Sequence, residues 1–320
     1  MPTELPKNEF LWSHTRYSTF QQCLRRYYFA FYAAWAGWLP GIDPKTREIY
    51  ILKRLYPRAD WVSLHITIAI AQLLRSVPRP ATPEAIKEAA ATIQAKQIEF
   101  MRTEFLHSRS GAFRADPVHM LGLYEHTFPV PVSPAEWKAT VDRLPLAIQT
   151  FAASSLAVDL FQKPREKLIL IDRPITTLLN NFKVRAHPHL LLLENRRIHL
   201  YQWEAHPDVA LPSLRQRLAI HACLAAARNG EASPPLADPS LPIRATAYSP
   251  IFDQSLDFDF SPEEIQNTRE FIIDSADEML FPLADPSTND PGDGTTFDPS
   301  PSPSLCPSCP FHLLCPSALH

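Results

Sequence analysis

Leu305-Cys306-Pro307-Ser308-Cys309-Pro310-Phe311-His312-Leu313-Leu314-Cys315-Pro316 places three cysteines within ten residues, in the spacing C-x2-C-x5-C. The remaining cysteines are Cys23 and Cys223. The opening segment MPTELPKNEFLW lacks a basic-then-apolar leader pattern, so a reducing cytoplasm is the expected setting. In such a setting, clustered cysteines point to a metal rather than to disulfides. Thiolates hold zinc or iron–sulfur clusters, and four ligands are the usual complement. The fourth ligand is open at this point. Cys23 lies on an amphipathic helix, His312 or His320 would complete a local Cys3His zinc site, and Cys223 sits in an alanine-rich helical stripe that reads as core.

Around this knot the composition is unusual, with 33 prolines and only 7 glycines in 320 residues. Length allows one large domain or two ordinary ones. No GxGxxG or GxxxxGK[ST] motif is present, which argues against a Rossmann enzyme or a P-loop ATPase. At 45% hydrophobic and 20% charged the chain is foldable. No run approaches the roughly 20 apolar residues of a membrane span, so no membrane partner is expected. The net charge of −3 hides an asymmetry: residues 1–250 hold 30 Lys and Arg against 21 Asp and Glu, and residues 251–320 hold 1 against 13. Arg outnumbers Lys 22 to 9. Its planar fork suits phosphate, so the first 250 residues are compatible with a polyanionic partner as well as with ordinary solvated charge.

Residues 15–38 predict one amphipathic helix, with Phe20, Cys23, Leu24, Tyr27, Tyr28, Phe31, Trp35 and Trp38 on a single stripe. Further helices are expected at about 60–76, where an Ile66/Ile68/Ile70 alternation also suits a strand, from Thr82-Pro83 to about 106, and at about 134–161. From 166 the pattern changes. Glu166–Ile171, Phe182–Ala186, His189–Leu193 and Ile198–Trp203 read as a strand meander turning at Glu194-Asn195-Arg196-Arg197. A helix capped by Ser213 and ended by Asn229-Gly230 follows, then a Pro-rich link (233–242), a strand over 243–252, and a helix from the capping box Ser261-Pro262-Glu263-Glu264 to about 280. Residues 282–304 carry too little apolar content to order themselves and read as a flexible tether. The expected organisation is a mixed α/β (α+β) chain: N-terminal helices over 1–80, a helical insert over 81–162, a core over 163–281, the tether, and the cysteine knot over 305–320.

These residues resemble the iron–sulfur branch of the PD-(D/E)XK nucleases, which includes RecB-like domains of helicase–nuclease complexes and the nuclease of CRISPR adaptation. In that branch an early Ser-x-x-x-x-Cys followed by basic and tyrosine residues supplies one cluster ligand. Ser18-Thr19-Phe20-Gln21-Gln22-Cys23 and Arg25-Arg26-Tyr27-Tyr28 look like that element, with Leu24 where the family often has proline. The C-terminal knot looks like the element supplying the other three. The resemblance implies a 4Fe-4S cluster (zinc being the alternative) on Cys23, Cys306, Cys309 and Cys315. It also implies a restriction-endonuclease-like core sheet flanked by helices, and a DNA partner, single-stranded or duplex ends, within a helicase or nuclease system. Arg25, Arg26 and Tyr27 are candidates for contacting that DNA.

The family's catalytic pattern is a motif histidine, a Gly-x-x-Asp strand start and, about 13 residues later, Asp/Glu-x-Lys. His65 is similar to the first. The matching string for the others is Ala186-His187-Pro188-His189 and Gln202-Trp203-Glu204, so His189 stands for Asp, Gln202 for the acid and Glu204 for Lys. The later Gln-x-x-x-Tyr element is altered to Arg217-Leu218-Ala219-Ile220-His221. Hydrolysis of a phosphodiester on this plan needs hard oxygen ligands for Mg²⁺ or Mn²⁺. Gln202 is a neutral, weak ligand in the acid's place and Glu204 reverses the charge of the lysine, so a binding protein with a degenerate site is expected. Two alternatives remain: an active nuclease using His65, His189 and Glu204 on a softer metal such as Mn, Zn or Ni, and a zinc-knuckle interaction scaffold.

Overall fold

The computed structural model describes residues 5–128, 130–204, 210–227, 242–299 and 302–315. The expected stop at Asn229-Gly230, nearly all of the 233–242 link and His320 lie outside them. The chain begins with β1 (Leu11–Trp12), α1 (His14–Gln22), α2 (Leu24–Tyr28) and a π-helical turn over Phe29–Ala33, then α3 (Pro44–Lys53), β2 (Leu55–Tyr56), α4 (Arg58–Ser76) and α5 (Pro83–Ser110). It continues through β3 (Gly122–Leu123), α6 (Tyr124–Thr127), α7 (Pro134–Ala153) and α8 (Ser155–Gln162). The strand-rich half holds β4 (Leu168–Ile171), β5 (Ile175–Leu179), β6 (Phe182–Ala186), β7 (Leu190–Glu194), β8 (Arg197–Trp203), α9 (Leu211–Ala226), β9 (Ile243–Ser249), β10 (Gln254–Phe260) and α10 (Pro262–Leu280). The protein is a mixed α/β chain, as its sequence pattern implies.

Several helix starts share one device, a short polar cap followed by proline. Asp43, Thr82, Ser133 and Ser261 each accept backbone N–H bonds of the first turn, and Pro44, Pro83, Pro134 and Pro262 occupy the position where a missing N–H costs nothing. The helix expected over 134–161 is divided at Ser154, whose hydroxyl caps α8. Among the described residues no single helix is long and apolar enough to cross a membrane. The bent pair α7–α8 buries its apolar side, including Leu144, Phe151 and Phe161, in the core.

The main sheet has strand order β10-β9-β8-β7-β4. β4, β7 and β8 form an antiparallel meander, and β9 returns parallel to β8 after the α9 crossover. Asn195 and Arg196, both at positive φ, make the two-residue turn between β7 and β8. A smaller sheet joins the β5–β6 hairpin to β1. Side chains alternate across the main sheet. Leu190, Leu192, Tyr201 and Trp203 face the α4/α5/α7/α8 layer, and Leu191, Leu200, Ala245 and Ala247 face α9 and α10.

Three expectations are corrected. α9 starts at Leu211 without a side-chain cap, so Ser213 lies within its first turn rather than capping it. The helix over 15–38 is not continuous: it breaks at Cys23, which is extended (φ −168°, ψ 114°) and ends α1 while starting α2. The stretch expected as a tether is laid against the body in its described part, 282–299. Phe297 is fully buried against Tyr27, Tyr28 and Tyr32. Asn289 is buried and accepts from Tyr32 Oη (3.0 Å) while donating to Asn8 O (2.9 Å). Asp285, Asp290 and Asp293 close local turns onto following N–H groups. Side-chain turns and two anchors replace the apolar content that the stretch lacks.

Candidate functional site

Breaking the helix at Cys23 is what makes its sulfur available. A continuous helix would bury that position on the aromatic stripe. Instead Sγ caps α2, accepting from Arg26 N at 3.4 Å, and faces a cavity. The cavity is lined by Cys23, Cys306, Cys309 and Cys315 together, with Arg25, Arg26 and His312 at its margin. Phe311 holds the C-terminal segment down: it is 2% exposed and lies on Phe29, ring centres 5.4 Å apart. His312 lies against Phe128, and Tyr124 donates to Pro307 O at 2.8 Å. Burial raises the Cys309 thiol pKa, and Cys23 and Cys315 add to the rise, so thiols from both ends of the chain sense one another. No disulfide joins the described cysteines. Among the described residues no group of three His, Cys, Asp or Glu is set to grip a metal ion. Cys223 is buried in α9, as expected of a core residue.

The donor set fits an iron–sulfur cluster: four thiols, a backbone N–H on one sulfur, two arginines to balance the charge, and an apolar wall of Phe29 and Phe311. Arg25 and Arg26, expected to contact DNA, both line this cavity. Arg25 donates to Gly294 O (3.1 Å) and, through its N–H, to Asp298 O (3.0 Å), and Arg26 borders the cavity. Tyr27 is fully buried and cannot stack on a base.

The β7–β8 hairpin brings the second set together. Its register pairs Leu190 with Tyr201, which sets His189 opposite Gln202, so the 13-residue spacing is the hairpin register itself. Trp203 N donates to His189 Nδ1 at 2.8 Å, which leaves the ring proton on Nε2. Nε2 faces the Gln202 amide at 3.3 Å. The acceptor that a protonated Nε2 needs is Gln202 Oε1, otherwise a buried atom without a partner. Burial drives the His189 pKa down to about 3, with His187 and Arg217 adding to the fall and Asp172 opposing it. Glu204 is held in an ion pair with Arg217. His221, also buried, has its pKa pushed well down by burial and then by Arg217 and the neighbouring histidines.

Sequence reasoning missed Asp172 here, which bonds His187 (3.0 Å) and whose N–H donates to His189 O (2.7 Å). Its positive φ of 47°, in the tight turn after β4, carries no motif. His65 goes elsewhere. It is fully buried between α4 and α5, with Nδ1 on Gln97 (3.1 Å) and Nε2 on Glu104 (2.8 Å), and Glu104 also accepts from Trp61 Nε1 (2.7 Å). This is a saturated interhelical bond network, so the structure brings His189, Gln202, Glu204 and Arg217 together and leaves His65 out.

No family model and no curated protein matches the chain. Among solved structures, one described as "Crystal structure of SSO0001" aligns at 14% identity over 58% of this chain and 79% of that one, with a TM-score of 0.26, a likeness that carries no argument.

Proposed function

We propose that this chain is an iron–sulfur protein on a RecB-like, PD-(D/E)XK-type frame that has lost hydrolysis and retains DNA binding within a DNA-processing system. The observation carrying this reading is the cavity lined by Cys23 from one end of the chain and Cys306, Cys309 and Cys315 from the other. These four would hold a 4Fe-4S cluster, which when bound supplies structural cross-linking of the two ends. Zinc on the same thiols is the alternative, with its sulfurs about 2.3 Å from one ion.

The hairpin site supports loss of hydrolysis. Mg²⁺ would need free carboxylate oxygens. Here Glu204 is occupied by Arg217, and His189 and Gln202 form a neutral pair. His189, Gln202 and Glu204 therefore bind one another and Arg217, and none of these three is free to generate hydroxide. The softer-metal alternative loses His65 to the α4–α5 network.

Anaerobic purification tests the reading. The expected result is a brown protein with about four iron and four sulfide per chain, and no cleavage of DNA with Mg²⁺ or Mn²⁺. One zinc per chain and no iron overturns the cluster. Cleavage abolished by Glu204→Ala overturns the loss of chemistry.

A further inference from the structure

Many cations in this protein are matched by acids, Arg58 by Glu125 and Glu136, Lys163 by Asp159 and Glu194, Arg215 by Glu264 and Arg244 by Asp257, or by backbone oxygens, as Arg25, Arg47, Arg75 and Arg79 are. Arg16, Lys53 and Arg54 break this pattern. Among the described residues none of the three has a carboxylate at ion-pair distance. They come from separate elements, Arg16 from the first turn of α1 and Lys53 with Arg54 from the end of α3. Phe31 of the π-turn lies between them, with the Arg16 guanidinium 4.6 Å and the Lys53 ammonium 5.0 Å from its ring centre. Arg185, which follows Val184 on β6, adds its charge to the surroundings of Arg16.

These groups are positioned at a cost. Burial, then Arg16 and Arg54, bring the Lys53 pKa down to about 8. Arg54 Nε is shut off from solvent and donates to nothing. The Phe31 face and the negative end of α3 offset part of the repulsion. Neither gives the buried Arg54 Nε an oxygen acceptor. The positive run also has a direction. Arg185 lies two residues before His187 of the hairpin site, and His14, at the start of the Arg16 helix, is close enough to Arg217 for that charge to lower its pKa further, after burial.

We propose that Arg16, Lys53 and Arg54, grouped on Phe31, form a phosphate-binding cluster that holds the backbone of a nucleic-acid strand leading to the β7–β8 hairpin. A phosphodiester brings acceptor oxygens and neutralises charges that no acid among the described residues pairs with. The proposal rests on the DNA-binding reading above and adds to it the surface that performs the binding.

The test is fluorescence anisotropy of a labelled single-stranded oligonucleotide, titrated across ~50–200 mM salt, with wild type and the triple variant Arg16→Gln/Lys53→Gln/Arg54→Gln. Unchanged near-UV circular dichroism and melting temperature certify the variant's fold. If the triple variant fails that check, Lys53→Gln alone serves, since the Lys53 side chain reaches the surface although its ammonium is packed over Phe31. The expected result is a 10- to 100-fold weaker affinity at low salt and a log–log salt slope shallower by about 2 for the triple variant, or about 0.7 for the single one. Equal binding by wild type and variant overturns the cluster and leaves the DNA reading standing. No binding by either overturns both. Excess inorganic pyrophosphate is the remaining arm: variant-sensitive binding of pyrophosphate without oligonucleotide binding assigns the cluster to small phosphates and overturns the strand.

Discussion

A histidine held neutral by its packing makes the fold sensitive to acid. His189 titrates at about 3 in the folded protein and near 6.5 when unfolded. Between those values the unfolded chain binds the extra proton, so stability falls as pH falls, and nothing is lost above about pH 7. At pH 5 the contribution is about 1–2 kcal/mol. His189→Asn, which offers Trp203 N an acceptor oxygen without titrating, is expected to flatten that loss in urea unfolding measured at pH 7 and pH 5. Glu204→Gln removes the partner of a part-buried Arg217 and is expected to cost about 1–3 kcal/mol at pH 7 in the same assay. The grouping of His189, Gln202 and Glu204 was legible because alternation and a two-residue turn fix a hairpin's register. The fate of His65 was not, since Gln97 and Glu104, which capture it, lie a whole helix away and carry no motif.

Elements announced by caps were the readable ones. Thr82-Pro83 and Ser261-Pro262 open α5 and α10 at the expected residues. Asp43-Pro44 carries the same signal for α3, and its ten residues escaped notice beside the aromatic run before it. β5 and β10 were hidden because their outward positions are polar or exposed and their pairing depends on neighbours, β6 and β9. The 282–299 strap was illegible for a related reason, as its order comes from what it lies against. Gly294 tests this. Its φ is +78°, and an added Cβ would lie 2.5 Å from the Tyr28 ring, which has the protein body behind it. Gly294→Ala is expected to destabilise by about 2–3 kcal/mol, from left-handed strain and overpacking, read as a lower melting temperature. Phe311→Ala removes the plug on Phe29 and is expected to cost about 3–5 kcal/mol, with faster proteolysis of the C-terminal segment as the local readout.

At the scale of the molecule, the charge asymmetry resolves into contacts. Acids of the 251–320 region meet basic residues of the preceding sheet and helix, Asp259 with Arg197, Asp257 with Arg244, and Glu264 with Arg215. Cations around Phe31 are left out of that compensation. If the cysteines hold the proposed cluster, chelating its iron is expected to lower the melting temperature and expose residues 302–315 to protease while leaving the far α4–α5 layer protected, as hydrogen exchange would show. The shared cavity also orders events in time. About 290 residues separate Cys23 from Cys315, and at roughly 5–20 residues per second a ribosome needs about 15–60 s to pass from one to the other. Through that interval Cys23 stands at the surface of a growing chain with its wall of Phe311 not yet made. A nascent chain that stalls before the knot therefore displays an uncovered thiol, and the folded one half-covers it.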